Sequence, residues 1–182
     1  MKLTKTTIDG VIIIEPEVHG DHRGWFTETY SEKEYIKNGL NMNFVQDNHS
    51  MSAKKGTLRG LHYQEKPKAQ TKLVRCTKGR IFDVAVDLRA SSVTYGKWVG
   101  VELSSENKKQ LLIPKGFAHG FVTLCENVEV QYKVDEYYAP EYDKTIRFDD
   151  PDISVNWGVE TPILSEKDKN APYLKDIKPS FV

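Results

Sequence analysis

Short stretches of alternating apolar and polar residues, separated by turn residues, recur along most of the chain. In residues 81–88 the apolar side chains at even-numbered positions fall on one face of an extended strand, while Asp83 and Asp87 fall on the other, because side chains alternate with a period of two. Residues 128–134 alternate in the same way and place Tyr132 on the face that carries three valines. This pattern predicts a mainly β protein.

The same pattern predicts a set of strands and two short helices. The predicted strands cover residues 11–14, 24–30, 57–64, 71–77, 79–89, 97–103, 110–113, 120–124 and 128–134. Ser31 and Glu34 have the spacing of a capping box, and Asn38-Gly39 ends the segment, so a helix is predicted between them. A second short helix is predicted to begin at Ser165. Many short strands with few helices favour antiparallel pairing, and we expect a small barrel or jelly roll.

Length and charge narrow the class of protein. We expect one domain over residues 1–182, because a chain of this size can bury a single sizeable core. The 26 basic and 26 acidic side chains cancel, so the overall field that would attract nucleic acid or an anionic membrane is absent. No apolar run approaches the ~20 residues that span a bilayer, and the first residues are unlike a secretory signal. Cys76 and Cys125 form no CxxC pair, so we expect reduced thiols and a cytoplasmic location.

Two histidine motifs mark the centre of the chain. Gly56 precedes His62 by six positions, and Pro114-x-Gly116-x-x-His119 follows about fifty residues later. This spacing resembles the two motifs of the cupin superfamily, in which three His and one Glu hold a metal ion inside a barrel.

Two of the four cupin metal-ligand positions are changed in this sequence. Gln64 stands where the second histidine would be, and Lys72 stands where the glutamate would be. An ammonium supplies neither a lone pair nor negative charge to a divalent ion. We therefore expect no metal, although a metal-dependent cupin enzyme stays an alternative. Buried structural histidines are the other alternative for His62 and His119.

Blocks of residues along nearly the whole chain resemble one particular family. They lie at residues 21–28, 44–48, 58–64, 72–75, 83–89, 113–121, 132–133 with Tyr138, and 164–168, and they include LRGLHYQ and IPKGFAHGF. In order and spacing they are similar to the dTDP-4-dehydrorhamnose 3,5-epimerases. The resemblance implies a cupin jelly roll that forms a homodimer. It also implies an enzyme of dTDP-L-rhamnose synthesis that needs no metal and no cofactor and inverts C3 and C5 of dTDP-4-dehydro-6-deoxy-glucose.

The resemblance assigns roles to four catalytic residues. His62 matches the family's base, and a histidine suits that role because its pKa lies near neutrality. A carboxylate partner would hold its tautomer: Asp168 is favoured, and Asp83 is the second candidate. Lys72 would stabilise negative charge on the C4 oxygen, and Tyr132 matches the proton donor.

The remaining matches concern substrate binding. Arg23 and Arg59 match contacts to the diphosphate or nucleotide, a role that the forked guanidinium suits. Tyr138 matches the residue that stacks on thymine, and Asp143 stands where the family usually has Glu. The other predicted substrate contacts are Glu28, Gln46, Asp47, Asn48, His119 and Lys167.

One pair of predicted residues conflicts with simple strand geometry. Strict alternation over residues 58–64 puts Arg59 and His62 on opposite faces. They can serve one ligand only if the strand bends or bulges, which Gly60 would permit, or if Arg59 lies at the barrel mouth.

Two further functions stay open from the sequence. A relative that epimerises one carbon, or accepts another nucleotide 4-ketosugar, would share all of these residues. A non-catalytic cupin that only binds a sugar nucleotide would not need base, ammonium and phenol together.

Overall fold

The computed structural model describes residues 1–181 of the chain and is built mainly from antiparallel strands. The strands are β1 Lys2–Lys5, β2 Ile12–Glu15, β3 Val18–Asp21, β4 Gly24–Thr27, β5 Gln46–Ser52, β6 Leu58–Gln64, β7 Lys72–Lys78, β8 Arg80–Asp87, β9 Trp98–Ser104, β10 Gln110–Ile113, β11 Phe117–Thr123, β12 Val128–Val134 and β13 Asp143–Thr145. The helices are α1 Glu32–Lys37 and α2 Glu166–Lys169, with a 3-10 turn at Leu174–Asp176. Within residues 1–181, none of the helices is long and apolar enough to cross a membrane.

The strands form two sheets and a separate hairpin. One sheet has the order β1-β2-β10-β7-β12-β5, the other has the order β13-β6-β11-β8-β9, and β3 pairs with β4. All of these strand pairs are antiparallel. The non-sequential strand order is that of a jelly roll, and the mainly β architecture predicted from the sequence is confirmed.

One hydrophobic core lies between the two sheets. Its buried side chains come from both of them and include Val74, Ile81, Ala85, Leu111, Phe121 and Val130. Tyr132 packs against this core together with Val128 and Val130, as the alternation in β12 predicted.

Both faces of β8 are buried. The even positions Val84 and Val86 pack away from the barrel, under a cover formed by residues 146–181 that includes Trp157 and Leu174. Asp83 and Asp87 are also fully buried. The polar face of this strand is therefore an interior face that places carboxylates inside the protein.

Helix α1 covers the outer face of the six-stranded sheet. Tyr35 and Leu40 pack there against Ile14, Leu73 and Leu112. The predicted capping box is wrong, because the Ser31 side chain caps no backbone N–H. Burial of Tyr35 is the visible reason that this helix forms.

Sequence patterning found the apolar strands and missed the polar ones. The bounds of β10 and β12 agree with the prediction, whereas β4 ends at Thr27 and β11 begins already at Phe117. The missed strands are β1, β3, β5 and β13. Strand β5 reads QDNHSMS and has no apolar alternation, because its less exposed residues are polar.

A bulge in β6 changes the face on which its residues lie. His119 pairs with His62 and Phe121 pairs with Arg59, so three steps along β6 oppose two steps along β11. One extra residue in β6 puts Arg59 and His62 on the same side of the sheet. Gly60 lies at this point with φ +132°, and a Cβ there would lie 2.5 Å from the Cα of Gly120.

Replacing Gly60 with Ala is expected to lower the free energy of unfolding by on the order of 2–3 kcal/mol, because it adds both backbone strain and overlap with Gly120. Urea unfolding followed by fluorescence measures the loss. Gly39→Ala is the matched control, since Gly39 also has positive φ but nothing lies within 4 Å of a Cβ there. The idea that steric overlap dominates would be contradicted by equal losses in the two variants.

Candidate active site

A cavity of about 400 Å³ lies between the two sheets. Six of the side chains predicted from the sequence line it: Arg59, His62, Lys72, His119, Tyr132 and Asp168. The five-stranded sheet supplies β6 and β11, and the six-stranded sheet supplies β7 and β12. Groups from opposite walls of the barrel therefore face one space.

His62 forms a close pair with Asp168. Nε2 of His62 lies 2.5 Å from Oδ1 of Asp168, and the carboxylate is almost fully buried. Burial raises the pKa of Asp168, but the hydrogen bond and charge of His62, with smaller help from Ser165, outweigh it and lower the pKa overall. Asp168 is thus held as a carboxylate next to an imidazole that stays open to the cavity.

The chain brings Asp168 to His62 from 106 residues away. Ile163 forms a bridge with Thr57, with backbone hydrogen bonds from Leu58 to Ile163 and from Ile163 to Gly56. Ser165 Oγ then accepts the backbone N–H of Asp168 and caps α2. The cap directs the Asp168 side chain toward His62 in β6.

A second histidine–carboxylate pair stands beside the first. His119 Nε2 lies 2.7 Å from Oδ1 of Asp83, and both side chains are buried. His119 is the strand partner of His62. Asp83 therefore does not pair with His62, and Asp168 holds that position.

Lys72 is half-buried on the cavity wall, and its Nζ lies 3.5 Å from the backbone oxygen of His62. Burial lowers the pKa of Lys72 to about 8, although Asp143 and Asp83 attract the ammonium and oppose this effect. Lys167 lowers the pKa slightly further. The group is thus a cation at neutral pH that loses its charge in mildly alkaline solution.

Tyr132 presents a phenol to the same cavity. Burial raises its pKa, and the negative charge of Asp143 adds to this effect. The side chain therefore keeps its proton at neutral pH. Asn48 is its strand partner in β5.

Arg59 lies at the exposed edge of the cavity. Its Nε donates to Ser52 Oγ and one Nη donates to the backbone oxygen of Met51, both at 3.1 Å. These bonds fix the guanidinium while leaving donors for an anion.

Three predicted substrate contacts form a cluster next to the cavity. Asp143 Oδ2 accepts from Lys167 Nζ at 2.5 Å and from the Tyr138 hydroxyl at 3.3 Å. Gln46 joins this cluster by accepting the backbone N–H of Tyr138. The cluster lies close enough for the negative charge of Asp143 to raise the pKa of both Lys72 and Tyr132.

Four other predicted contacts do not line the cavity within one chain, and one of them, Asn48, lines a neighbouring cavity. Arg23 is paired with Asp21 on the exposed β3–β4 hairpin. Glu28 lines a different cavity beside α1. Asp47 is exposed on the far side of β5, where it binds Lys133.

The donor set of the cavity is poor for a metal ion. Within residues 1–181, no group of three or more His, Cys, Asp or Glu side chains could hold one. Gln64 donates to the Lys68 backbone oxygen and accepts from the Ala139 N–H, so its amide is used inside the protein. Metal independence stays a prediction, which activity after exhaustive chelation combined with elemental analysis would test.

Sequence reasoning undervalued Asp83 and missed the segment that carries residues 163–165 to the cavity. The sequence indicated Asp83 as the second candidate partner of His62, whereas in the structure it binds His119. The Ser165-x-x-Asp168 spacing was the one local signal for the cap, and nothing local indicated the bridge between Ile163 and Thr57.

Comparison with known proteins gives a consistent result. A family model described as dTDP-4-dehydrorhamnose 3,5-epimerase matches residues 5–176. A protein of that name from Methanothermobacter thermautotrophicus is 55% identical over 179 residues, which are 96% of this chain and 95% of the relative. A crystal structure of a dTDP-4-dehydrorhamnose 3,5-epimerase from Elizabethkingia anophelis NUHP1 superposes with a TM-score of 0.92 at 51% identity, covering 98% of both chains.

A third protein was solved with a ligand. It is a dTDP-6-deoxy-D-glucose-3,5-epimerase from Legionella pneumophila in complex with dTDP-4-keto-L-rhamnose. Its TM-score to this chain is 0.92 at 47% identity, over 97% of this chain and 94% of that one. These matches confirm the predicted fold class.

Proposed function

Because the chain belongs to the dTDP-4-dehydrorhamnose 3,5-epimerase family, we propose that it inverts C3 and C5 of dTDP-4-dehydro-6-deoxy-α-D-glucose to give dTDP-4-dehydro-β-L-rhamnose. One observation carries the assignment of residues: a histidine–carboxylate pair, an ammonium and a phenol line one cavity. These are a base, an electrostatic stabiliser and an acid. Epimerisation next to a ketone needs all three.

His62 is the base. The C–H bonds at C3 and C5 are acidified by the C4 ketone, and an imidazole near neutral pKa can remove such a proton. Asp168 accepts the hydrogen bond from one ring nitrogen, which fixes the ring and stabilises the imidazolium that forms.

Lys72 stabilises the enolate. When the proton leaves, negative charge develops on the C4 oxygen, and a cation in a cavity shielded from water stabilises that charge strongly. The ammonium needs no reorganisation, because the fold already holds it on the cavity wall.

Tyr132 returns a proton from the other side. It belongs to the six-stranded sheet, whereas His62 belongs to the five-stranded sheet. A sugar between these walls loses a proton to one and gains a proton from the other, which inverts the carbon.

Cations and aromatic groups around the cavity suit a nucleoside diphosphate. Arg59 offers forked donors to the phosphates, and His119 adds a polar contact. Tyr138 is exposed and can stack on the thymine ring, while Lys167 and Asp143 stand beside it.

We further propose a homodimer in which the β3–β4 hairpin meets a second copy of the chain. Trp25 and Phe26 on this hairpin are 60% and 65% exposed, which is unusual for large aromatic side chains. In such a dimer Arg23 and Glu28 reach the cavity of the second copy, which explains why they lie far from the cavity of their own chain.

The mass of the protein in solution tests the dimer. Light scattering during size-exclusion chromatography should give twice the chain mass of 20.8 kDa, and the single-chain mass would contradict the dimer.

The whole chain then acts as one cupin-like domain in the cytoplasm and without a cofactor. Two unpaired cysteines, Cys76 and Cys125, support a reducing compartment.

Incubation with dTDP-4-dehydro-6-deoxy-glucose in heavy water tests the function directly. We expect deuterium at both C3 and C5 of the product, since both protons are replaced from solvent-exchanged acids. Nuclear magnetic resonance of the product reports the two positions separately. Deuterium at a single carbon would indicate a one-carbon epimerase, and none at either would exclude an epimerase on this substrate.

Replacing Tyr132 with Phe is expected to separate the two halves of the reaction. His62 can still remove a proton and return deuterium to the same face, so the recovered substrate gains deuterium while inversion falls by about 10²- to 10⁴-fold. Tyr142→Phe is the control, because that tyrosine does not line the cavity. If inversion and exchange fall together, Tyr132 is not the acid of the inversion step.

A further inference from the structure

Asp83 is a fully buried carboxylate whose two oxygens have different surroundings. Oδ1 accepts from His119, while Oδ2 has no hydrogen-bond partner among residues 1–181. An unpaired buried oxygen costs on the order of 1–3 kcal/mol, so stability alone gives no reason for it.

A carboxylate with a structural role looks different in the same strand. Asp87 is equally buried, but Arg89, Ser92 and Thr94 donate to both of its oxygens. Asp83 lacks such a set of donors. Asp83 instead binds His119, and it is through His119 that it borders the cavity.

We propose that Asp83 is a positioning residue for the epimerisation: Oδ1 orients the His119 ring, and the charge on Oδ2 keeps Lys72 an ammonium inside the cavity. This inference rests on the proposed function, in which Lys72 stabilises the enolate.

The first half follows from the hydrogen bond to His119. A carboxylate only accepts, so Nε2 of His119 carries the proton. Nδ1 has no partner among the described residues, and the ring lines the cavity. Asp83 therefore selects which nitrogen of His119 is presented to the sugar, as carboxylates behind histidines do elsewhere.

The second half follows from the charges around Lys72. No carboxylate of residues 1–181 lies within ion-pair distance of its ammonium, so the attraction must act through space. The charged and titratable groups that share its surroundings are Arg59 and His62 on β6, Asp83 on β8, His119 on β11, Tyr132 on β12, Asp143 on β13, and Lys167 and Asp168 on α2.

Asp143 attracts the Lys72 ammonium most strongly and Asp83 comes second, but of these two carboxylates only Asp83 has no lysine bound to it. Asp143 is bound to Lys167, and Lys167 itself repels the ammonium. Asp168 is bound to His62. Asp83 shares only one oxygen with a histidine, and its negative charge opposes the loss of the Lys72 proton that burial favours.

Replacing Asp83 with Asn tests the proposal, because the variant keeps the shape and removes the charge. We expect kcat to fall about 10- to 100-fold with KM changed less than about threefold. If the Lys72 pKa of about 8 sets the alkaline limb of kcat/KM in the unaltered enzyme, we expect that limb to move down by about one pH unit in Asp83→Asn.

Asp87→Asn is the matched control. It removes an equally buried carboxylate from the same strand, so it should lower stability and leave the alkaline limb in place. The role of Asp83 is overturned if the alkaline limb does not move in Asp83→Asn. The proposed function still stands in that case, provided that the unaltered enzyme incorporates deuterium at C3 and C5. No deuterium incorporation by the unaltered enzyme overturns the proposed function as well.

A measurement on the unaltered protein covers the case in which Asp83→Asn fails to fold. The chain has five histidines, and ¹⁵N spectra compared with those of His119→Asn identify the ring of His119. We expect a proton on Nε2 throughout the range in which the ring is neutral. A proton on Nδ1 in that range would overturn the orienting role.

Discussion

Replacing His62 with Ala should abolish nearly all deuterium exchange at C3 and C5, with a loss of about 10²- to 10⁴-fold, while the variant still binds dTDP. The His62 ring is partly open to the cavity and has the buried Asp168 carboxylate behind it, and an imidazole is the side chain best suited to act as a base near neutral pH. In the proposed mechanism neither C–H bond can be broken without it. Single-turnover exchange in heavy water measures the loss apart from product release.

The control for this substitution must respect Asp168. Ala leaves a buried carboxylate without its hydrogen-bond donor, which costs stability for a reason unrelated to catalysis. His62→Gln is therefore the second variant, because its amide can donate to Asp168 but cannot act as a base. His49→Ala controls for loss of a histidine, since His49 is exposed and paired with Glu129. Exchange close to that of the unaltered enzyme in His62→Gln would remove His62 from the mechanism.

Apolar patterning predicted the strands that build the barrel because their side chains face a hydrophobic core. In β12 the alternation of valines and polar residues gave both the strand bounds and the direction of Tyr132. Strand β5 could not be found in this way, because Gln46, Asn48 and Ser50 alternate with more exposed residues as the inner polar face of a sheet. A strand that lines a polar cavity has no hydrophobic period to detect.

A second limit on what the sequence can predict comes from contacts between distant segments. Asp168 reaches His62 through a helix cap and a backbone bridge, and no spacing rule connects residues that are 106 apart. Only the family resemblance indicated that pair. For Arg59 and His62 the sequence left three possibilities open: a bend in β6, a bulge in β6, or a position of Arg59 at the barrel mouth. The structure has the bulge, whose register depends on how β6 pairs with β11.

Replacing Lys72 with Met should lower kcat by about 10²- to 10³-fold, the loss typical of removing one group that stabilises an oxyanion. Met has nearly the same length and shape, so the variant removes the charge and little else. Binding of dTDP should change little, since in the proposed mechanism the ammonium acts on the C4 oxygen. Lys78→Met is the control: it lies at the other end of β7 and is exposed.

Lys72→Met should change both the pH dependence of the activity and the free energy of unfolding. The alkaline limb near pH 8 should disappear, because the group whose pKa is about 8 is gone. Since burial holds the pKa of Lys72 below its value in the unfolded chain, the charged form destabilises the folded state. That cost is fully present below about pH 8 and vanishes as the pH rises toward the pKa of an exposed lysine.

Lys72→Met should therefore be more stable than the unaltered protein at pH 7, and this gain should shrink as the pH rises. Urea unfolding at pH 7 and pH 10 measures the difference. A variant that is slow and also less stable at pH 7 would mean that Lys72 holds the barrel together. A variant that is slow and more stable would mean that the fold carries a buried charge for the sake of the reaction.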